Sequence, residues 1–570
     1  MKTRTISSLS AIGSRLFGTL TDGVNPIVVR EVRRALRGNF LPAAFVNVQV
    51  LCLFVAMPTG QGDGKELLTG MLYILALLGG IVLPILSVQW VWEERRSGTF
   101  PVLLLTRLGV PRLFWGRFAS GMVPFVLTLS ATLPFVAFAY LLGGIGIGTV
   151  VATFSAVVLL SAFHLLCGVA LAFAPRTQLA YSALWWLFAA GSIVSTFAIA
   201  TCSSDLLLRE RSGGVLLLAF VPLGVLGLVM AVHLSGVVKK LRVARAAVRE
   251  RAAPFAVEVK NVHREYGNKV AVRDVNFRLE PGEIVGLIGS NGAGKSTVLR
   301  MMSTLERPSY GVIQYGDVSH TDLSSPVSAE RVRGRIGYMP DRQGFYPNVT
   351  VAEYLDFFAR AYLLSGEERT RAVAEVLEFA GLATMSDRFA VHLSKGMRQR
   401  LSFARAIIHD PPLLLLDEPM EGLDPRARIE FRELLRALAA QGKTIFISSH
   451  ILAELGGLVD RVVILEMGRL ATSGKVEDLR KEVAAVRGVR LGLRADQDPA
   501  AAERFLAAQP GVVGYQVDGS IFSVQLDPVM GEVDRLVHDL YAAGIRVEEI
   551  ESSKPDLERV FLHHTKGELA

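Results

Sequence analysis

The chain has 570 residues, 51% hydrophobic and 20% charged, with a formal net charge of +8. That length is too great for one domain, and so large an apolar share is unusual for a soluble protein. Three cysteines exclude a disulfide framework or a cysteine metal cluster.

The charge is unevenly placed. Charged residues are scarce from about Phe40 to Val238 and return from Lys239 onward. Much of the basic surplus lies in "REVRRALR" and "KKLRVARAAVRER", which flank apolar segments. Such clusters orient membrane spans and touch anionic lipid, so membrane lipid, and not nucleic acid, is the expected partner. Cys52, Cys167 and Cys202 all sit in or beside apolar stretches. The first apolar run begins near Leu41, too late for a secretory signal peptide, so a retained N-terminus is expected.

In chain order, "NPIVVREVRRALRG" (Asn25–Gly38) predicts an amphipathic helix lying flat before the first span. Six apolar stretches then approach the ~20 residues a bilayer crossing needs. They are Phe40–Met57, Leu67–Trp92, Phe118–Leu142, Val150–Phe173, Gln178–Thr201 and Gly214–Val238. Segments on alternate sides of these stretches carry sixteen Lys and Arg against three. The positive-inside bias therefore predicts cytosolic termini and places everything after residue 239 on the ATP-containing side. Trp90, Trp92 and Trp115 stand where cytosolic interface anchors would. None of the six stretches holds Asp, Glu, Lys or Arg, which argues against a proton- or sodium-driven carrier. His164 and His233 read as helix-packing side chains. Between the second and third stretches, "WEERRSGTFPVLLLTRLGVPRLFWGRFASG" is a long amphipathic cytosolic segment able to touch a soluble partner.

"EIVGLIGSNGAGKST" is an apolar strand, a glycine-rich turn and a helix start. That context makes it a phosphate-binding P-loop spanning Gly289, Ser290, Asn291, Gly292, Ala293, Gly294, Lys295, Ser296 and Thr297. Glycines let backbone N–H groups point at phosphate oxygens, Lys295 supplies a positive charge, and Ser296 offers a hydroxyl to Mg²⁺. "PLLLLLDEPMEGLD" ends a buried strand in two carboxylates, Asp417 for Mg²⁺ and Glu418 to polarise the attacking water. "TIFISSHIL" is a second buried strand and delivers His450 to the same edge of the sheet, where an imidazole can contact the γ-phosphate as a catalytic residue. "LSKGMRQRLSFARAIIHD" opens a long helix on a serine and a glycine, a second anion-binding helix start.

Taken in order, these motifs over about Phe255 to Leu479 resemble the nucleotide-binding domain of an ABC transporter. The resemblance implies that two such domains close head to tail on ATP. Ser394 and Gly396 of one would clamp the nucleotide held by the P-loop of the other. It also implies that Tyr266 stacks on adenine and that Asp424 communicates across the dimer. Departures are visible: Lys395 and Met397 alter the usual LSGGQ signature, and Glu421 stands where serine is common. In "IGYMPDRQGFYPNVT" the glutamine-loop position after the proline is Asp341, with Gln343 two residues later. Either could serve; Gln343 joins Ser296 and Asp417 as an expected metal-side residue. The membrane half resembles ABC-2 type permeases, also called type V exporters. In those, the segment between spans two and three docks near the glutamine loop, here on "GFYPNVTVAEYLDFF".

From about Arg480 strand-like and helical patterns alternate in a βαββαβ rhythm, suggesting a small ferredoxin-like α+β module. His563 and His564 are adjacent, poor spacing for metal ligands, and read as solvated.

The expected fold is multi-domain. An all-α six-helix transmembrane domain (1–251) precedes an α/β P-loop ATPase of the ABC type (252–479) and an α+β accessory module (480–570). The expected function is one half of an ATP-hydrolysing transporter of a prokaryotic cytoplasmic membrane, with ATP and Mg²⁺ as cofactors. It would work as a homodimer or heterodimer with a second half-transporter, exporting an amphipathic, lipid-like or drug-like molecule. A mechanotransmission or signalling protein that hydrolyses ATP without moving substrate is the alternative, disfavoured by the short outward loops.

Overall fold

The structure, a computed structural model, describes residues 24–37, 40–56, 64–173, 255–321, 326–483, 487–494, 496–527, 532–553 and 557–565. These fall into two compact units. One takes the described residues of 1–251 with 323–335 and 342–410, the other those of 252–322, 336–341 and 411–570.

The first unit is helical. Pro26–Arg37 opens with proline in the first turn and closes with Arg34 and Arg37 in the last, both favourable choices. The Asn25 side chain accepts from Ile27 N–H at 3.0 Å and donates to Arg112 O at 2.8 Å, tying this helix start to a distant one. Among the described residues, three helices are long and apolar enough to cross a membrane: Gly64–Ser97, Pro111–Leu141 and Ile147–Val169. They coincide with the second, third and fourth expected spans. Phe40–Ala56 carries the first, with a shorter apolar core at Phe45–Phe54. The expected spans Gln178–Thr201 and Gly214–Val238 lie outside the described residues.

Leu67, Leu68, Met71, Leu72, Leu75, Phe125 and Val157 form the core joining these helices. Phe54, Leu141 and Val151 are exposed apolar side chains on these helices. Gly64–Ser97 contains a π-helical turn at Leu78–Val82, where Leu83 N–H bonds Leu78 O. A Cβ on Gly79 there would collide with Ser161 and Phe125, so only glycine lets the helices approach this closely.

The same unit includes Val351–Ala361, Gly366–Phe379 and Lys395–Ile407. Val351–Ala361 starts from a reciprocal capping box between Thr350 and Glu353 and buries Tyr354, Leu355, Phe357 and Phe358.

Among the described residues, the second unit holds three sheets. An antiparallel sheet runs β2-β1-β4-β5, with β1 Val257–Tyr266, β2 Lys269–Leu279, β4 Tyr310–Tyr315 and β5 Val318–Ser319. A six-stranded sheet runs β10-β9-β3-β8-β7-β6. Its parallel strands are β3 Ile284–Ile288, β6 Ile336–Met339, β7 Leu413–Leu416, β8 Thr444–Ser449 and β9 Arg461–Glu466, with β10 Arg469–Lys475 antiparallel at one edge. β3, β6, β7 and β8 are buried at every residue, which explains their unbroken apolar runs.

The third sheet runs β12-β13-β11-β14, from β11 Arg487–Leu493, β12 Val512–Asp518, β13 Ile521–Leu526 and β14 Val547–Ser553. Helices Pro499–Ala508 and Val533–Ala542 complete a βαββαβ order around a core of Val489, Leu491, Leu506, Phe522, Val524, Leu536 and Leu540.

Candidate active site

Parallel strands bring their carboxyl ends to one edge, and three of the expected residues arrive there by register alone. β7 pairs with β8 so that Leu416 faces Ile447, and β3 pairs with β8 so that Ile288 faces Ser449. The chain leaving β3 becomes the P-loop, the chain leaving β7 gives Asp417 and Glu418, and the chain leaving β8 gives His450.

The P-loop is a backbone device. Gly292 and Gly294 take φ of 86° and 98°, conformations that side chains resist. A Cβ on Gly289 would lie 2.6 Å from Leu465 O, and one on Gly294 would lie 2.7 Å from Ala271 O. Lys295 is buried and donates to Gly289 O at 2.7 Å and Ser290 O at 3.2 Å, folding back on its own loop. Its Nζ also lies 3.6 Å from Glu418 Oε1. A phosphate arriving here exchanges two neutral carbonyls for charged oxygens as the partners of Lys295.

Asp417 is 2% exposed and accepts from Ser448 Oγ at 2.7 Å. Burial pushes its carboxyl up; hydroxyls of Ser448 and Ser296 pull it down, while the charges of Asp341 and Glu418 push it up further. Glu418 sits at φ 47°, with its N–H bonded to Ser448 Oγ at 2.9 Å. Its Oε2 lies 2.9 Å from His450 Nδ1 and accepts His450 N–H at 3.3 Å. Glu418 is therefore held from both sides, by Lys295 on one oxygen and His450 on the other. Ser448, bridging the two acidic residues, was not singled out from sequence. The signal was a pair of serines ending an otherwise apolar buried strand.

Other expected residues have additional structural roles. Asp424 caps Pro425–Ala440 by accepting from Ala427 N–H at 2.8 Å. Ser394 caps Lys395–Ile407 by accepting from Met397 N–H at 3.2 Å, with Gly396 in the first turn. Tyr266 ends β1, with its hydroxyl bonded to Glu306. Ser394, Gly396 and Gln343 belong to the first unit, and the remaining expected site residues to the second.

The glutamine-loop pair separates. Met339, the last residue of β6, accepts the N–H of Asp417 at 2.8 Å, so Asp341 follows directly from the edge that carries the acidic pair. Gln343 instead donates its amide to Gln399 of the Lys395–Ile407 helix.

Among the described residues, no group of three or more His, Cys, Asp or Glu side chains forms a protein-only metal cage. A buried carboxylate beside a serine hydroxyl does fit magnesium, which takes few protein oxygens and completes its shell with phosphates and water.

A model of the ABC transporter family matches residues 272–421, and an AAA domain model matches 387–456. The Nod factor export ATP-binding protein I of Burkholderia orbicola is 40% identical over 218 residues, covering 38% of this chain and 70% of the relative. The protein of the same name from Rhizobium etli is 35% identical over 323 residues, covering 56% of this chain and 96% of the relative. A solved ATP binding subunit of an ABC transporter shares 34% identity, with a TM-score of 0.37, covering 40% of this chain and 93% of its own. A phosphate edge of this build and relatives matched over most of their length give one conclusion: the chain belongs to the ABC transporter family and carries its ATP-hydrolysing, ATP-binding cassette.

Proposed function

We propose that the chain is one half of an ATP-driven exporter of the ABC-2 type. It works in the cytoplasmic membrane as a dimer, with a copy of itself or with a related half. The membrane domain takes 1–251, the ATPase 252–479 and an accessory ferredoxin-like module 480–570.

The observation that carries this reading is how tightly the N-terminal helices grip residues 330–335 and 342–357 within the first unit. Arg30 lies over the rings of Tyr346 at 4.0 Å and Phe357 at 4.6 Å. Arg33 pairs with Asp356 at 3.2 Å and Arg37 with Glu353 at 2.5 Å. Gly344 admits no Cβ because Ser97 O and Thr99 press on it, and Gly334 admits none because of the Arg107 guanidinium. Motion of the segment after Asp341 is thereby pulled into helices long and apolar enough to span a bilayer.

At the phosphate edge, Lys295 and the P-loop N–H groups hold the nucleotide, and Tyr266 offers a ring to adenine. Glu418 polarises the attacking water while His450 fixes the orientation of its carboxylate. Ser296, Asp417 and Asp341 supply hard oxygens on the metal side, Asp341 taking the place that Gln343 gives up by turning to Gln399. Magnesium, when bound, neutralises phosphate charge. Ser394 and Gly396 face the nucleotide of the partner half, and Asp424 marks the same junction.

Export is favoured because both relatives described above are named as export proteins. An amphipathic, lipid-like substrate fits spans that carry no Asp, Glu, Lys or Arg. The test is uptake of labelled lipid-like or drug-like compounds into ATP-loaded inverted vesicles. ATP-dependent uptake that disappears in Glu418→Gln supports transport. ATP hydrolysis with no uptake of any compound class points to mechanotransmission.

A further inference from the structure

We propose that Glu306 and Arg264 are positioning residues that hold the Tyr266 ring as a pre-set platform for the nucleobase, and so set the preference for purine nucleotides. The inference rests on the reading of Tyr266 as the adenine platform.

Tyr266 is the last residue of β1 and pairs with Lys269 across a two-residue hairpin loop whose first member, Gly267, has φ 58°. Its backbone is therefore fixed by the turn. Its side chain is 41% exposed, and an exposed tyrosine would ordinarily sample several rotamers. Two contacts restrict that freedom. The hydroxyl donates to Glu306 Oε2. Arg264, two residues earlier, lays its guanidinium 4.7 Å from the ring centre. Arg264 is itself held, by Glu306 Oε2 at 3.4 Å and by donating to Arg307 O at 2.9 Å.

The second oxygen of Glu306 lies 3.7 Å from Arg300, on the Lys295–Met302 helix that begins with the P-loop lysine. Glu306 thus ties the ring to the element that holds the phosphates. A ring fixed at its hydroxyl and covered on one face presents its other face to a base without paying further ordering entropy. Stacking on such a platform scales with the π surface of the base, so it favours purines over pyrimidines.

The test uses full-length protein in detergent and measures displacement of a fluorescent ATP analogue by ATP, CTP and tripolyphosphate. Glu306→Ala should weaken ATP about fivefold and shrink the ATP-to-CTP ratio, while tripolyphosphate, which has no base, competes as before. Glu306→Gln, which keeps an oxygen acceptor for the hydroxyl, should restore most of the loss. Tyr266→Phe should resemble Glu306→Ala, and combining the two should add nothing further. Unchanged tripolyphosphate binding also shows that each variant is folded. An unaltered ATP-to-CTP ratio in Glu306→Ala, or additive losses in the double variant, would overturn the inference. If Tyr266→Ala weakens ATP while Glu306→Ala does not, the platform reading survives and the inference alone fails. If Tyr266→Ala leaves ATP binding intact, both fail.

Discussion

Two charge clusters in this molecule are built on opposite principles. At the phosphate edge, Lys295, Asp417, Glu418 and His450 are clustered but incompletely balanced: the lysine bonds loop carbonyls, and the Asp417 carboxyl is pushed up by burial. Under the N-terminal helix, Arg30, Glu31, Glu94 and Arg117 form a closed set, all nine-tenths buried or more. Arg30 reaches Glu31 at 2.6 Å and Glu94 at 2.9 Å; Arg117 reaches Glu31 at 3.0 Å and also pairs with Glu94. Burial alone would push the Glu31 carboxyl up, but Arg30, Arg117 and Arg34 outweigh it and hold it at about 2. A cluster that lacks something is a site for a ligand; a cluster that balances itself is a joint. The joint fastens the Pro26–Arg37 helix to the end of the Gly64–Ser97 helix and the start of the Gly109–Leu141 helix.

Breaking the joint should have the largest effect. Arg117→Ala leaves two buried carboxylates under-compensated and is expected to cost ~3–5 kcal/mol, visible as a large drop in thermal unfolding temperature in detergent. Replacing Arg117 and Glu94 together by Met and Leu should recover most of that loss; if it recovers none, the balance of charge is not what holds the joint. Ser448→Ala acts on the other cluster. It strips a hydroxyl from both Asp417 and the Glu418 N–H, so the hydrolysis rate should fall about tenfold with unfolding temperature little changed. A loss of stability without a loss of rate would reverse the contrast between joint and site.

Acid titration sharpens the comparison further. The folded pKa of Glu31 is depressed from 4.5 to about 2, so its contribution to stability is full above about 4.5 and is lost as pH falls toward 2. Unfolding measured for the native chain and for Glu31→Gln should therefore differ most near neutral pH and converge in acid. The smallest effect is expected at Thr350→Ala, which removes the capping box of Val351–Ala361 and should cost ~1 kcal/mol by chemical denaturation.

The two clusters also differ in how far they could be read from sequence. The phosphate loop was legible because its chemistry demands glycines, a lysine and a hydroxyl at fixed spacing after a buried strand. Strand register then carried Asp417, Glu418 and His450 to the same edge. The choice between Asp341 and Gln343 was open, since nothing in "PDRQG" fixes where each side chain turns after β6 ends. Ser394 and Asp424 were read by their family roles; their capping work was equally available from the serine and aspartate that open two helices. The joint was hidden. Arg30 read as part of a lipid-touching basic cluster and Arg117 as part of the cytosolic segment between the second and third spans, and one acid that pairs with Arg117, Glu31, lies 86 residues away. Long-range pairing of this kind leaves no periodic trace.

The central claim is that Glu418 drives hydrolysis at the phosphate edge, and the most direct measurement is the ATPase rate of purified Glu418→Gln beside its ATP affinity. The account predicts a rate lowered ~100-fold or more with ATP still bound. A variant that hydrolyses ATP at the native rate would contradict it.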